Sequence, residues 1–152
     1  MSSPSLRLLT IEDAGAAARL HAASFADAWN EASIQALIAE ANVLALGADD
    51  GGGLIAFVLF QSAAGDAELL TIATDPAYRR AGHAGRLIEA AIPLLAAAGN
   101  TRLLLEVAED NMPARRLYAR LAFVPDGRRK GYYTAGRTVP ADALLMSRQI
   151  TG

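Results

Sequence analysis

Residues 71–87, TIATDPAYRRAGHAGRL, carry an apolar strand through Asp75-Pro76 into a loop of small residues and arginines. A helix is expected to begin near Gly82. Ala81, Gly82, Ala84 and Gly85 let a ligand approach the main chain closely, and the first-turn N–H groups lack intrahelical acceptors. The helix dipole adds partial positive charge, so the loop can cradle an anion such as a pyrophosphate. Arg79, Arg80 and Arg86 would reinforce it. No Gly-Lys-Ser/Thr follows, so this is not a Walker loop, and the Gly-x-Gly-x-x-Gly of dinucleotide folds is absent. Taken alone, the same residues also describe a helix cap with solvated arginines.

Working outward, the pattern predicts a short strand at residues 6–9, then a helix opened by Thr10 with Asp13 in the capping-box position. A second helix is expected at residues 30–41, with Ile34, Leu37, Ile38 and Ala41 on one stripe. VLALGADDGGGLIAFVLFQ reads as two strands joined by a glycine-rich hairpin. Its GGG is a turn rather than a phosphate loop, because no helix follows it. A strand at residues 67–74 leads into the loop above and a long helix, in which Pro93 predicts a kink or local opening. Then come a strand at 101–107, a helix at 113–121, and strands near 128–132 and 143–150. This order implies one α/β domain over residues 1–152, with a mainly antiparallel sheet that becomes parallel where a helix crosses over.

LLLEVAEDN, residues 103–111, raises a separate question. Alternation puts Leu103, Leu105 and Val107 on one face, and Leu104 and Glu106 on the other. Glu106 must therefore be solvated, paired or used. On the following helix, Ala114, Leu117, Tyr118 and Leu121 form the inward stripe, and Asn111 is placed to cap it. A strand-end glutamate is commonly solvated or paired, and a helical tyrosine is commonly core. A carboxylate and a phenol on adjoining elements could nevertheless serve as a proton acceptor and a proton donor. Glu106 among apolar neighbours is a candidate base, directly or through water, and the Tyr118 hydroxyl a candidate donor.

Composition excludes several classes. The 152 residues contain no cysteine, which rules out disulfides and thiolate nucleophiles. A net charge of −2 gives no bulk attraction to nucleic acid or membrane. Arg128-Arg129-Lys130 reads as a solvated edge rather than a nucleic-acid contact. His21 and His83 have no paired carboxylate motif, so no metal site is expected, and His21 reads as a surface or satisfied residue. MSSPSLRLL lacks the apolar core of a signal peptide, and a cytoplasmic location is expected.

Arg79 to Ala84 resembles the Arg/Gln-x-x-Gly-x-Gly/Ala loop of the GNAT acetyltransferases, and the similarity extends over about residues 6–150. That resemblance implies the GNAT fold and acetyl-CoA as co-substrate. Arg80, Ala81, Gly82, His83, Ala84 and Gly85 would hold its pyrophosphate, and Ile72, Ala73 and Thr74 its pantetheine arm. Leu-Glu-Val, then Asn111 five and Tyr118 twelve residues after Glu106, is similar to the ribosomal-protein-alanine N-acetyltransferases. It implies Glu106 as proton acceptor, Tyr118 as proton donor and Asn111 as a coenzyme contact. Tyr132 and Tyr133 match a tyrosine pair near the peptide site, and Asp142 matches as well. The implied acceptor is the N-terminal alanine of the eighteenth small-subunit ribosomal protein. The rival readings are a lysine or small-amine acetyltransferase of the same fold, and a non-catalytic acyl-CoA-binding regulator. Two departures stand out: Ala122 replaces the expected C-cap glycine, and Trp29 lies a few residues later than the subfamily's acceptor-site aromatic.

Overall fold

A computed structural model describes residues 4–150. Seven strands form one sheet in the order β1-β2-β3-β4-β5-β7-β6. Strands β1 (Ser5–Leu8), β2 (Val43–Asp49), β3 (Leu54–Ala63) and β4 (Asp66–Thr74) pair antiparallel in succession. Strands β5 (Arg102–Ala108), β7 (Ala141–Gln149) and β6 (Val124–Tyr133) form a second antiparallel group. The one parallel pairing joins the groups, β4 to β5, across the long helix α3 (His83–Ala97). The mainly antiparallel α/β sheet with a local parallel crossover is thus as expected.

Helices α1 (Ala14–Ser24) and α2 (Glu31–Ala39) cover one face of the sheet, where Leu20 and Ile34 bury against Phe57, Leu59 and Ala73. Helices α3 and α4 (Met112–Arg120) cover the other, packing Leu87, Ile88, Leu95 and Tyr118 against Leu69, Leu103, Leu105 and Val107. Local signals explain the helix starts. Asp13 accepts a hydrogen bond from the Thr10 N–H at 2.8 Å, and Asn30 caps α2 by accepting from Ser33 N at 2.8 Å. Ala41 lies beyond α2 and is exposed, so the expected stripe ends at Ile38. Pro93 does not interrupt α3, and the expected opening there is corrected accordingly.

The GGG segment is a turn. Gly51 and Gly53 have φ of 94° and 142°, and Asp49 and Asp50 accept from Gly51 N and Gly52 N. The end of α4 follows a Schellman pattern: Phe123 N donates to Tyr118 O, and Ala122 N to Ala119 O. Ala122 sits at φ 67°, the left-handed position expected for the missing glycine.

Candidate active site

The sheet splits between β4 and β5. Only Asp66, Ala67 and Glu68 pair with β5, opposite Arg102, Leu103 and Leu104. Just beyond, the β3–β4 register slips, so that Leu59 faces Thr71 and Phe60 faces Leu69. Leu70 is left as a bulge, and a bulge bends its strand. From there β4 stays with β3 while β5 stays with β7 along its whole length.

The diverging edge of β4 carries usable backbone groups. Asp75 N donates to Ile55 O at 2.8 Å, so alternation turns Ala73 and Thr71 toward β3 as well. Ile72 and Thr74 then present their N–H and C=O groups to the split. Arg79 Nε donates to the Thr74 carbonyl at 3.3 Å. Of the three strand residues singled out from sequence, Ala73 instead faces β3 and buries its methyl under α1.

At the mouth of the split lies the loop before α3. Gly82 is the N-cap at φ 81°, and Arg80, a bulky residue, holds φ 65°. Non-glycine residues adopt that region rarely and at a cost, and such positions cluster at ligand sites. A Cβ on Gly82 would come within 3.3 Å of the Arg86 guanidinium. His83 is buried, with Nδ1 2.7 Å from Arg86 Nη2. Since guanidinium can only donate, Nδ1 accepts and the ring is neutral there. Burial, and secondarily the Arg86 charge, hold the His83 pKa below its ordinary value. The Tyr78 hydroxyl donates to Asp50 at 2.5 Å, tying the loop to the β2–β3 hairpin.

Glu106 and Tyr118 flank the split from opposite faces. Leu105 and Val107 belong to the core beneath α3 and α4, as does Tyr118, so Glu106 points to the α1/α2 side. Its side chain is 21 % exposed, and Arg129 Nε lies 3.1 Å from Oε1. The apolar surroundings expected for this carboxylate are therefore corrected: its nearest charged partner is a guanidinium. Tyr118 is only 5 % exposed and packs edge-on against Phe123, with ring centroids 5.7 Å apart. Burial, and secondarily Tyr133, push its pKa up to about 12. Tyr133 is likewise raised, by burial and then by Glu106. Asn111 accepts from Ala114 N at 3.3 Å, which makes it the cap of α4.

The β6–β7 segment borders this region. Tyr132 is half exposed, and its ring lies 5.2 Å from Tyr133 and 5.3 Å from the Arg129 guanidinium. Arg128 pairs with Glu109 and Asp142, and Arg137 with Asp110. The Arg128-Arg129-Lys130 run is thus not simply a solvated edge, since two of its arginines hold carboxylates around β5. No spacing rule in the sequence links Arg129 to Glu106, because they meet across the intervening β7. Of the two readings of His21, the satisfied one holds: it is buried, Nδ1 accepts from Trp29 N at 3.1 Å, and its ring stacks on Trp29 at 4.9 Å.

A sheet parted at a bulge, with an anion loop at its mouth and paired proton-transfer candidates on its two faces, defines an acyltransferase architecture. The family model for the acetyltransferase (GNAT) family matches residues 14–123, and the chain belongs to that family of enzymes. It is 31 % identical over 144 residues to a putative [ribosomal protein bS18]-alanine N-acetyltransferase of Bacillus subtilis, covering 93 % of this chain and 92 % of that protein. A [ribosomal protein bS18]-alanine N-acetyltransferase of Haemophilus ducreyi is 35 % identical over 94 residues, 62 % of this chain and 65 % of that protein. The crystal structure of the ribosomal-protein-S18-alanine N-acetyltransferase from Escherichia coli superimposes with a TM-score of 0.89. It is 29 % identical, with 97 % of this chain and 94 % of that one covered.

Proposed function

We propose that this enzyme acetylates the α-amino group of a protein N-terminus, the N-terminal alanine of ribosomal protein bS18, in the cytoplasm. The observation that carries this reading is the position of Glu106 and Tyr118 on opposite faces of the split in the sheet. A base and a donor so arranged can serve the incoming amine and the leaving sulfur from two sides. The names of the Bacillus and Haemophilus relatives supply the acceptor. No helix among the described residues is long and apolar enough to cross a membrane.

The residues present fit acetyl-CoA. The α3 N-terminus, with Arg80 and Gly82 in left-handed conformations, suits a pyrophosphate, and the Ile72 backbone and the Thr74 N–H face away from β3, toward an amide-bearing arm, while Arg79 already holds the Thr74 carbonyl. Arg80 through Gly85 form the loop side of that site, with Asn111 at the start of α4 beside the split. Acetyl-CoA, when bound, supplies an acyl group already activated as a thioester. Glu106 accepts the proton that the amine gives up, directly or through water. An α-amino group of pKa near ~8 needs little help, whereas lysine near ~10.4 is almost wholly protonated at neutral pH. The N–H groups of Ile72 and Thr74 stabilise charge gathering on the carbonyl oxygen. Tyr118 stays protonated at every physiological pH and donates a hydrogen bond to the leaving sulfur. Complete proton transfer from a phenol near 12 to a thiolate near ~8.5 is uphill by roughly 5 kcal/mol. Its main contribution is therefore the hydrogen bond. Tyr132 and Tyr133 border the acceptor.

The test compares CoA release with two peptides, one starting Ala-Arg with a free α-amino group, the other N-blocked but rich in lysine. Turnover of the first alone is expected. Turnover of the second would move the assignment to lysine, and binding of acetyl-CoA without any turnover would favour a regulator.

A further inference from the structure

The free enzyme already has a cation on its proposed base. Arg129 Nε lies 3.1 Å from Glu106 Oε1, and its guanidinium stacks over Tyr132. One flat cation thus spans the base and a tyrosine of the proposed acceptor site. It reaches Glu106 across β7, where Ala143, opposite Arg129 in the register and fully buried, offers only a methyl group on that face.

An acceptor amine arrives as an ammonium ion, also a cation, and must come to the same carboxylate. Two cations on one partly exposed carboxylate repel at contact distance. The second oxygen of Glu106 can accept the ammonium, but the repulsion is relieved if Arg129 gives way, and the surroundings permit that. The Arg129 side chain is 55 % exposed, and the β6–β7 register slips between Arg129 and Tyr133. Gly131, within that slip, has φ 63°. Arg129 can therefore swing out without breaking a regular ladder. Its Tyr132 stack holds it nearby, at a site that needs no carboxylate.

We propose that Arg129 is a specificity-determining residue that occupies the acceptor-ammonium position on Glu106 in the free enzyme and is exchanged for the acceptor's α-ammonium on binding. This rests on the reading of Glu106 as base. Arg129 then selects for cationic N-termini able to displace it. It takes no part in moving the proton.

The test measures affinity for a free-N-terminus Ala-Arg peptide by calorimetry on the CoA-bound enzyme, together with steady-state kinetics. Arg129→Ala should tighten peptide binding about two- to fivefold, the range that a half-exposed ion pair supports. The peptide KM should fall accordingly, while kcat moves less and the acetyl-CoA KM stays put. Arg129→Lys, which keeps the charge, should stay close to wild type. The gain should vanish with an N-blocked peptide, and again when Arg129→Ala is combined with Glu106→Gln. Unchanged or weakened peptide binding in Arg129→Ala would overturn the proposal. So would a tenfold fall in kcat, because Arg129 would then be orienting the carboxylate. If Glu106→Gln alone turns over normally, the base assignment itself fails, which is a separate result.

Discussion

Strands β4 and β5 run side by side at one end and part at the other, and the two ends have different duties. At the closed end three parallel residue pairs hold the seam, Arg102 and Asp66 bridge it at 3.0 Å, and Leu103 is fully buried. At the open end the backbone of Ile72 and Thr74 is unpaired by β5, and Glu106 is partly solvated. Packing satisfies the first end; at the second, Arg129 pairs with Glu106 and Arg79 with the Thr74 carbonyl, and the Ile72 backbone is left to solvent or a ligand. One bulge, at Leu70, separates the paired seam from the end where the proposed site lies.

This contrast can be broken most severely at Glu106. Glu106→Gln should lower kcat by about 10²–10⁴, the range for loss of a general base, with acetyl-CoA affinity unchanged by calorimetry. Full turnover would remove Glu106 from the mechanism. At the closed end, Leu103→Ala should cost about 2–5 kcal/mol in denaturant unfolding through the cavity it leaves. Its kcat per folded molecule should remain near wild type; a large kcat loss there would mean that the two ends are not separable. Tyr118→Phe keeps the ring against Phe123 and deletes only the hydroxyl, so kcat should fall about 10- to 100-fold while Tm holds. A normal kcat would return Tyr118 to a purely packing role. The smallest effect belongs to the end of α4. Ala122→Gly relieves a left-handed alanine and should add about 1 kcal/mol, a rise of roughly 2–4 °C in Tm, with activity unchanged.

Much of the frame was legible from local pattern. Alternation put Leu103, Leu105 and Val107 in the core and left Glu106 on the other face, and the structure agrees. Asp13 and Asn111 marked helix starts through short-range hydrogen bonds that capping chemistry anticipates. The left-handed Ala122 followed from its place after α4. Other features were hidden. His21 has no motif around it, yet it is buried between Phe25 and Trp29 with an N–H donor supplied by the chain. Pro93 signalled a disruption that α3 absorbs.

The sequence by itself determined most of the strands and helices, where the small-residue loop before α3 lies and which carboxylate and phenol are candidates, because these depend on periodicity, caps and turns within a few residues. Only the tertiary structure decided that β4 leaves β5 after Glu68, that Tyr118 and Glu106 stand on opposite faces, and that Arg129 rather than an apolar wall lies on Glu106. The physical reason is range. Strand register and cross-strand ion pairs join residues tens of positions apart, and their geometry is fixed only when the whole sheet and both helical layers close around it.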